Sequence, residues 1–243
     1  MKSVQESLAE QHVQLPRRRS LSEDAADTLR KLILLEKLPP GLPVPERDLA
    51  EELGISRTPL KQALSILEIE GLIEYSSTRR PRVADPSLES IAKNLAVLAA
   101  LEALAGEVAC REATKRDIRD ILRLDLRMRK IPLAAPPLKF FDLDMAFHAR
   151  IVEAARNEPL VETHRRINAR LWRARFMSSR QTKRRANTLA EHKSICEALS
   201  VRDPVQTSAV LRRHLQSTVV NIADVRKEKL PAGMGLDSDA AKV

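Results

Sequence analysis

Aromatic side chains are almost missing from this chain: one Trp, one Tyr and four Phe in 243 residues. The cores must therefore be aliphatic, and an aromatic stacking platform for single-stranded nucleic acid is not expected. Long apolar runs are missing too. No stretch approaches the roughly 18–20 apolar residues that cross a bilayer, and the opening MKSVQESLAEQHVQLPRRRS has no apolar segment of the secretory kind. The only two cysteines, Cys110 and Cys196, lack metal-ligand spacing and read as buried thiols of a reducing cytosol. A cytoplasmic protein without membrane contact is the expectation.

Charge is present in excess but unevenly placed. The net charge is +9, yet residues 1–84 carry 13 basic and 13 acidic side chains, so the whole surplus lies beyond them. Bulk charge therefore does not locate a nucleic-acid surface; motifs must do so.

Composition divides the chain into four parts. Residues 1–20 are polar and end in Arg17-Arg18-Arg19-Ser20, a flexible basic arm. Over residues 21–84, Ala25, Leu29, Leu32 and Ile33 recur at helical spacing until Pro39-Pro40-Gly41 stops them. A short helix is predicted from Glu46, a turn at Gly54-Ile55, and a third helix from an N-cap at Ser56 to about Glu70. LIEYSS and RVAD, separated by a basic tip, predict a two-stranded hairpin. Residues 85–226 read as helices throughout: Ser87–Cys110, Lys115–Met128, Lys139–Ala155, Leu160–Ser178, Ala186–Leu199 and Pro204–Val225. Residues 227–243 are polar with Pro and Gly and read as a disordered tail. The fold class is mainly α: a winged helix-turn-helix followed by an all-helical bundle.

In a winged helix-turn-helix the third helix enters the major groove by its N-terminus. Arg57 there can fork to guanine O6 and N7; Ser56, Thr58 and the backbone N–H groups suit a phosphate. Lys61, Arg47 and the wing-tip residues Arg79 and Arg80 complete the candidate DNA contacts. The alternative is a helix-turn-helix that makes only protein contacts, with Arg57 a solvated surface charge. The string PGLPVPERDLAEELGISRTPLKQALSILEIEGLIEY resembles the GntR family, and that resemblance implies operator contacts by Arg47, Ser56, Arg57, Thr58 and Lys61. It departs from the family at Lys61, which cannot make arginine's bidentate fork, and at Arg80, where the wing usually carries glycine.

In the helical part Asp144 and His148 share a helix face with Ile151, Val152 and Ala155. His192 and His214 likewise lie among apolar residues, where each needs a partner. Taken singly, each fits a hydrogen-bonded core residue. The strings DLDMAFHARIVEAARNEPL, EHKSICEALSVRD and AVLRRHLQS are similar to the FCD domain of the FadR subgroup. That resemblance implies a metal set of Asp144, His148, His192 and His214, holding Zn²⁺ or alternatively Ni²⁺, Mn²⁺ or Fe²⁺. It also implies a small carboxylate or sugar-acid effector, and a homodimer on a palindromic double-stranded operator. His164 and His12 match no ligand position and read as solvated. Leu98 stands where the family often has arginine, four residues before Glu102, so Arg170 or Arg173 is expected to meet the effector instead. The acid-free run from Arg165 to Arg185, with nine Lys or Arg, reads mostly as a solvated face. Two other readings remain at this stage: a mononuclear metal hydrolase with Glu191 as general base, and a regulator that senses the metal itself.

Overall fold

The computed structural model describes residues 20–228 and residue 230. The basic arm, apart from Ser20, and most of the C-terminal tail lie outside the described residues. Within the tail, Lys227 closes the last helix in the left-handed conformation, and Glu228 pairs with Arg226 at 3.2 Å.

Helix α1 (Leu21–Leu34) opens on a reciprocal cap: the Ser20 hydroxyl accepts the Glu23 N–H at 3.2 Å, and the Glu23 carboxylate accepts the Ser20 N–H at 2.8 Å. Helices α2 (Glu46–Glu52) and α3 (Arg57–Ile69) follow, joined across Gly54, whose φ of +63° suits a residue without a Cβ. Leu29 and Ile33 of α1 meet Leu60, Leu64 and Leu67 of α3 in one aliphatic core, closed by Leu72, Ile73 and Val83.

The wing pairs β1 (Ile73–Tyr75) with β2 (Pro81–Val83), Ile73 opposite Val83 and Tyr75 opposite Pro81. It is not a plain hairpin. Pro43 bridges to Arg82 on the far edge of β2, with Val44 N–H donating to Pro81 C=O and Val83 N–H to Leu42 C=O, both at 2.9 Å. The segment after α1 thus satisfies an edge that a two-stranded ribbon would leave bare.

Six helices form the second part: α4 (Leu88–Glu112), α5 (Lys115–Arg129), α6 (Pro137–Ala154), α7 (Glu158–Ser179), α8 (Thr182–Ser200) and α9 (Pro204–Arg226). Starts differ from sequence expectation by up to four residues, most at α8, which begins at Thr182 rather than Ala186; α6 and α7 each begin two residues early because Pro137 and Pro159 occupy first-turn positions where a missing N–H costs nothing, and α9 begins at Pro204 as expected. Helix α4 packs along α9, and Gly106 permits the approach: a Cβ there would sit 2.7 Å from Thr207 Cγ2 and press into Leu211. Two apolar clusters fill most of the bundle, one around Ile121, Phe147, Ile195 and Leu211, the other around Leu95, Leu98, Leu171 and Leu215; the four Phe are all buried, so the core is not purely aliphatic as composition suggested.

The two parts meet where α1 crosses α6 and α7. Leu34 packs with Phe141, Met145 and Phe176, and the Arg30 guanidinium lies 5.7 Å from the centre of the Trp172 ring. Just beyond α1, Glu36 pairs with Arg180 at 3.0 Å and Arg173 at 3.7 Å.

Candidate metal centre and nucleic-acid interface

Three helices deliver three imidazoles to one point. His148 on α6, His192 on α8 and His214 on α9 are buried, and each offers a ring nitrogen within 4.8 Å of the other two. Asp144, one turn before His148, brings Oδ1 to 3.3 Å from His192 Nε2 and 3.8 Å from His148 Nε2. The rings pack tightly: His148 stacks on His214 with centres 5.0 Å apart, and Phe147 stacks on His192 at 4.5 Å.

Two carboxylates behind the cluster decide which nitrogens face inward. His148 Nδ1 is 2.7 Å from Glu102 Oε2, and His214 Nδ1 is 2.7 Å from Glu191 Oε2. An N–H donated to a carboxylate leaves the lone pair on Nε2, which is how metal-ligating histidines are oriented. Asp144 Oδ1, His148 Nε2 and both His192 ring nitrogens are buried without a hydrogen-bond partner. Orphaned polar atoms are costly in a protein interior, and here three of them, Asp144 Oδ1, His148 Nε2 and His192 Nε2, face a common space. Burial lowers the His148 pKa despite the opposing pull of Glu102, and burial with the neighbouring His214 and His148 lowers that of His192 much further. Neutral imidazoles and one carboxylate are a donor set for a borderline divalent ion. These residues fit a metal.

Around this centre lies a group that sequence reasoning missed. Glu102 on α4 also receives His164 Nε2 at 3.1 Å through its second oxygen, and Arg175 Nη1 approaches that oxygen to 3.5 Å. Burial opposes ionisation of Glu102, but His148, His164 and Arg175 outweigh it and hold its pKa well below the carboxylate range. His164 is therefore not solvated. Helix phase was the available signal: positions 164, 168, 171 and 175 alternate by four and three, so His164, Asn168, Leu171 and Arg175 share the buried face of α7. Arg170 and Arg173, expected near the effector, fall on the opposite face because each is two residues, about 200° of helix turn, from Asn168 or Arg175. The Arg170 stem packs over Gly71, where a Cβ would sit 3.1 Å from Arg170 Cγ, and Arg173 pairs with Glu36 and with Asp85 at 3.9 Å. Both line the seam between the parts. Within the acid-free run, Arg175 and Arg185 are buried, the latter 4.5 Å from the centre of the Phe140 ring. Glu191, the expected general base, is occupied by His214.

At the other end, Ser56, Arg57, Thr58 and Lys61 are exposed along the first turns of α3, and Arg47 is exposed on α2. Ser56 occupies the N-cap position with no capping bond from its hydroxyl. Lys61 and Glu46 are 3.8 Å apart and Arg47 and Asp48 3.3 Å, exposed pairs that cost little to exchange for phosphates. At the wing tip the residue with positive φ is Arg79, at 55°, rather than Arg80. The Arg80 N–H donates to the Ser76 hydroxyl at 3.1 Å, and both arginine side chains stand in solvent.

Comparison with known proteins gives two non-overlapping family matches. Residues 21–83 match "Bacterial regulatory proteins, gntR family", and residues 94–217 match the "FCD domain". The Uxu operon transcriptional regulator of Escherichia coli is 30% identical over 217 residues, spanning 80% of this chain and 84% of that protein. An HTH-type transcriptional regulator in an unstable DNA locus of Streptomyces ambofaciens is 28% identical over 210 residues, 82% of this chain and 83% of the relative. The solved structure of E. coli McbR/YncC has the same fold, with a TM-score of 0.70 at 17% identity over 85% of this chain and 99% of that one. Among the described residues no helix is long and apolar enough to cross a membrane.

Proposed function

Because this chain belongs to the gntR family of bacterial regulatory proteins and carries an FCD domain, it is a DNA-binding transcription regulator and not an enzyme, and we propose that a metal-assisted small carboxylate or sugar acid controls its grip on a palindromic operator. The observation that carries this reading is the convergence of Asp144 Oδ1, His148 Nε2 and His192 Nε2, all buried and unpartnered, beside the inward-facing His214. Asp144, His148, His192 and His214 would hold the ion, with Zn²⁺ the best match and Ni²⁺, Mn²⁺ or Fe²⁺ the alternatives. The ion would supply a Lewis-acidic anchor for a carboxylate oxygen. Glu102 and Glu191 orient two of the imidazoles, and the surrounding apolar clusters keep water from competing.

On the operator side, Arg57 reads a base edge while Ser56, Thr58, Lys61 and Arg47 hold phosphates and Arg79 and Arg80 flank them from the wing. Two copies are needed to span a palindrome. Helix α4 offers the surface for pairing: Val97, Leu101, Leu104 and Val108 recur at spacings of four and three on one face, with Val97 and Leu104 about half exposed. The protein acts in the cytoplasm, beside the DNA.

Footprinting on upstream DNA, combined with metal titration, tests this. Protection of an inverted repeat is expected, and Arg57→Ala should weaken it by about 1–3 kcal/mol while relaxing preference at one base position. Candidate acids should shift operator affinity of the metal-loaded protein only. Control by metal alone would instead make the ion the signal, and equal binding to unrelated DNA would remove the operator reading.

A further inference from the structure

Away from the histidines, the seam between the two parts encloses two adjoining cavities. The inner one, about 40 Å³, is walled by Leu72 of the reading head and by Ile91 and Ile222 of the bundle. Arg170, Arg173 and Arg226 also line it, and no carboxylate does among the described residues. The outer cavity, about 310 Å³, shares Gly71 and Arg170 with the inner one and is more polar, with Glu68, Tyr75, Ser90 and Asn94 in its walls. No residue of the histidine cluster lines either.

The three guanidiniums differ in how much of their donor capacity is used. Arg226 is occupied: it donates to Pro86 C=O at 2.7 Å and pairs with Asp85 at 3.1 Å and Glu228 at 3.2 Å. Arg173 is not. Its side chain is 16% exposed, yet it makes no hydrogen bond among the described residues, and its Nε is buried without a partner. The carboxylates that approach it are Glu36 at 3.7 Å and Asp85 at 3.9 Å. Each is held more closely by another arginine, Glu36 by Arg180 at 3.0 Å and Asp85 by Arg226 at 3.1 Å. Burial accordingly lowers the Arg173 pKa, with Asp85 and Glu36 offsetting only part of the effect and Arg226 adding to it. Arg170, at the boundary of the two cavities, makes no hydrogen bond or ion pair among the described residues, and its stem is held against Gly71. Two guanidiniums thus keep unspent donors beside one small space, between apolar walls that strengthen electrostatic attraction.

We propose that the seam is a second ligand site, for the phosphate monoester of a small polyol: the phosphate enters the inner cavity between Arg173 and Arg170, and the hydroxylated body lies in the outer one. At roughly 10–15 Å³ per water the inner cavity has room for about three waters, the bulk of one phosphate group. Arginine forks match phosphate oxygens, and two of them suit a dianion better than a single carboxylate. The outer cavity is at the small end of the about 300–1,000 Å³ range of small-molecule pockets. There the Ser90 and Tyr75 hydroxyls and the Asn94 amide offer donors and acceptors to a polyol, whereas Glu68 and Glu74 repel a phosphate and so fix which end enters first. Both cavities take walls from the head and from the bundle, so an occupant holds the two in one relative placement. The site does not depend on the metal reading above.

The test is calorimetric titration of the full chain, stripped of metal with a chelator so that no ion binds the phosphate, at fixed ionic strength. Glucose 6-phosphate is the probe, with inorganic phosphate and glucose as its two halves. The ester should bind once per chain, inorganic phosphate at least tenfold more weakly, and glucose not at all. Arg173→Met should weaken the ester at least tenfold and Arg170→Met at least threefold, while His192→Ala should leave it within twofold of wild type. Asn94→Leu should weaken the ester but not inorganic phosphate. No binding of the ester, or wild-type affinity in both arginine variants, refutes the site. Equal affinity for ester and inorganic phosphate means an adventitious ion only and overturns the proposal, and loss of binding in His192→Ala moves the ligand into the bundle and overturns it too. If Arg173→Met does not melt cooperatively, Arg170→Met decides, because Arg170 is exposed: a loss of threefold or more supports the site and unchanged affinity refutes it.

Discussion

Glu102 holds two imidazoles with one carboxylate, and the consequence falls on a third group. One oxygen takes His148 Nδ1 and the other His164 Nε2, so the His148 ring is fixed in tautomer and rotation by a residue that is itself 1% exposed. Glutamine has the same shape but offers one acceptor oxygen and an NH₂ that competes as a donor. Glu102→Gln is expected to lower metal affinity about 10–100-fold, the range for loss of a supporting hydrogen bond to a ligating histidine. Competition with a coloured chelator measures this, and an unchanged affinity would mean that packing alone orients His148. At the same scale, burial pushes the Cys196 thiol up to about 12, reinforced by nearby Asp125. It is a packing residue, as the sequence suggested.

Helix α5 depends on a single side chain at its start. The Asp117 carboxylate accepts both the hydroxyl and the N–H of Thr114 at 2.7 Å, and receives Arg150 and Arg156 from α6 and the turn that follows it. The Thr114 hydroxyl, with the Thr114 N–H and Arg150, outweighs burial and holds the Asp117 pKa well below the carboxylate range. A pKa depressed in the folded state adds stability that is complete above the ordinary value of about 3.9 and is lost as pH falls towards the folded value. Asp117→Asn should therefore cost about 1–3 kcal/mol at neutral pH. The melting temperatures of wild type and variant should converge as pH drops below about 4. Thermal melts from neutrality to acid check this; a constant gap would assign the loss to packing.

At the scale of the whole molecule, α7 serves both ends. Its buried face carries His164, Asn168 and Arg175; Arg173 on its other face and Arg180 at its C-cap both grip Glu36 beside the DNA-reading part. In the proposed regulation, a displacement of α7 would reach the reading head through Glu36 and Leu34. In the proposed dimer, pairing of two copies rests on α4. Leu104→Glu would place a charge in the apolar stripe and should convert a dimer to monomer in light scattering, with operator binding weakened at least tenfold. A dimer that survives the substitution would locate the interface elsewhere. The change should not unfold the bundle, because Leu104 is 45% exposed.

Helix order, the glycine turn and the exposure of the candidate reading surface were legible because they are local: periodicity, caps and the run SRTPLKQAL need no distant partner. The four candidate ligands were legible from their apolar surroundings together with family likeness. Two kinds of residue were not. Glu102 and Arg175 sit in helices otherwise read as core or as charged surface, and their roles depend on the relative rotation of α4, α6 and α7. Likewise Arg170 and Arg173 face the seam because the reading head docks there, a long-range contact that helix spacing cannot encode. Sequence alone determined the elements and the chemistry available to each. Only the tertiary structure decided which charges share an interior, because that depends on how whole helices pack.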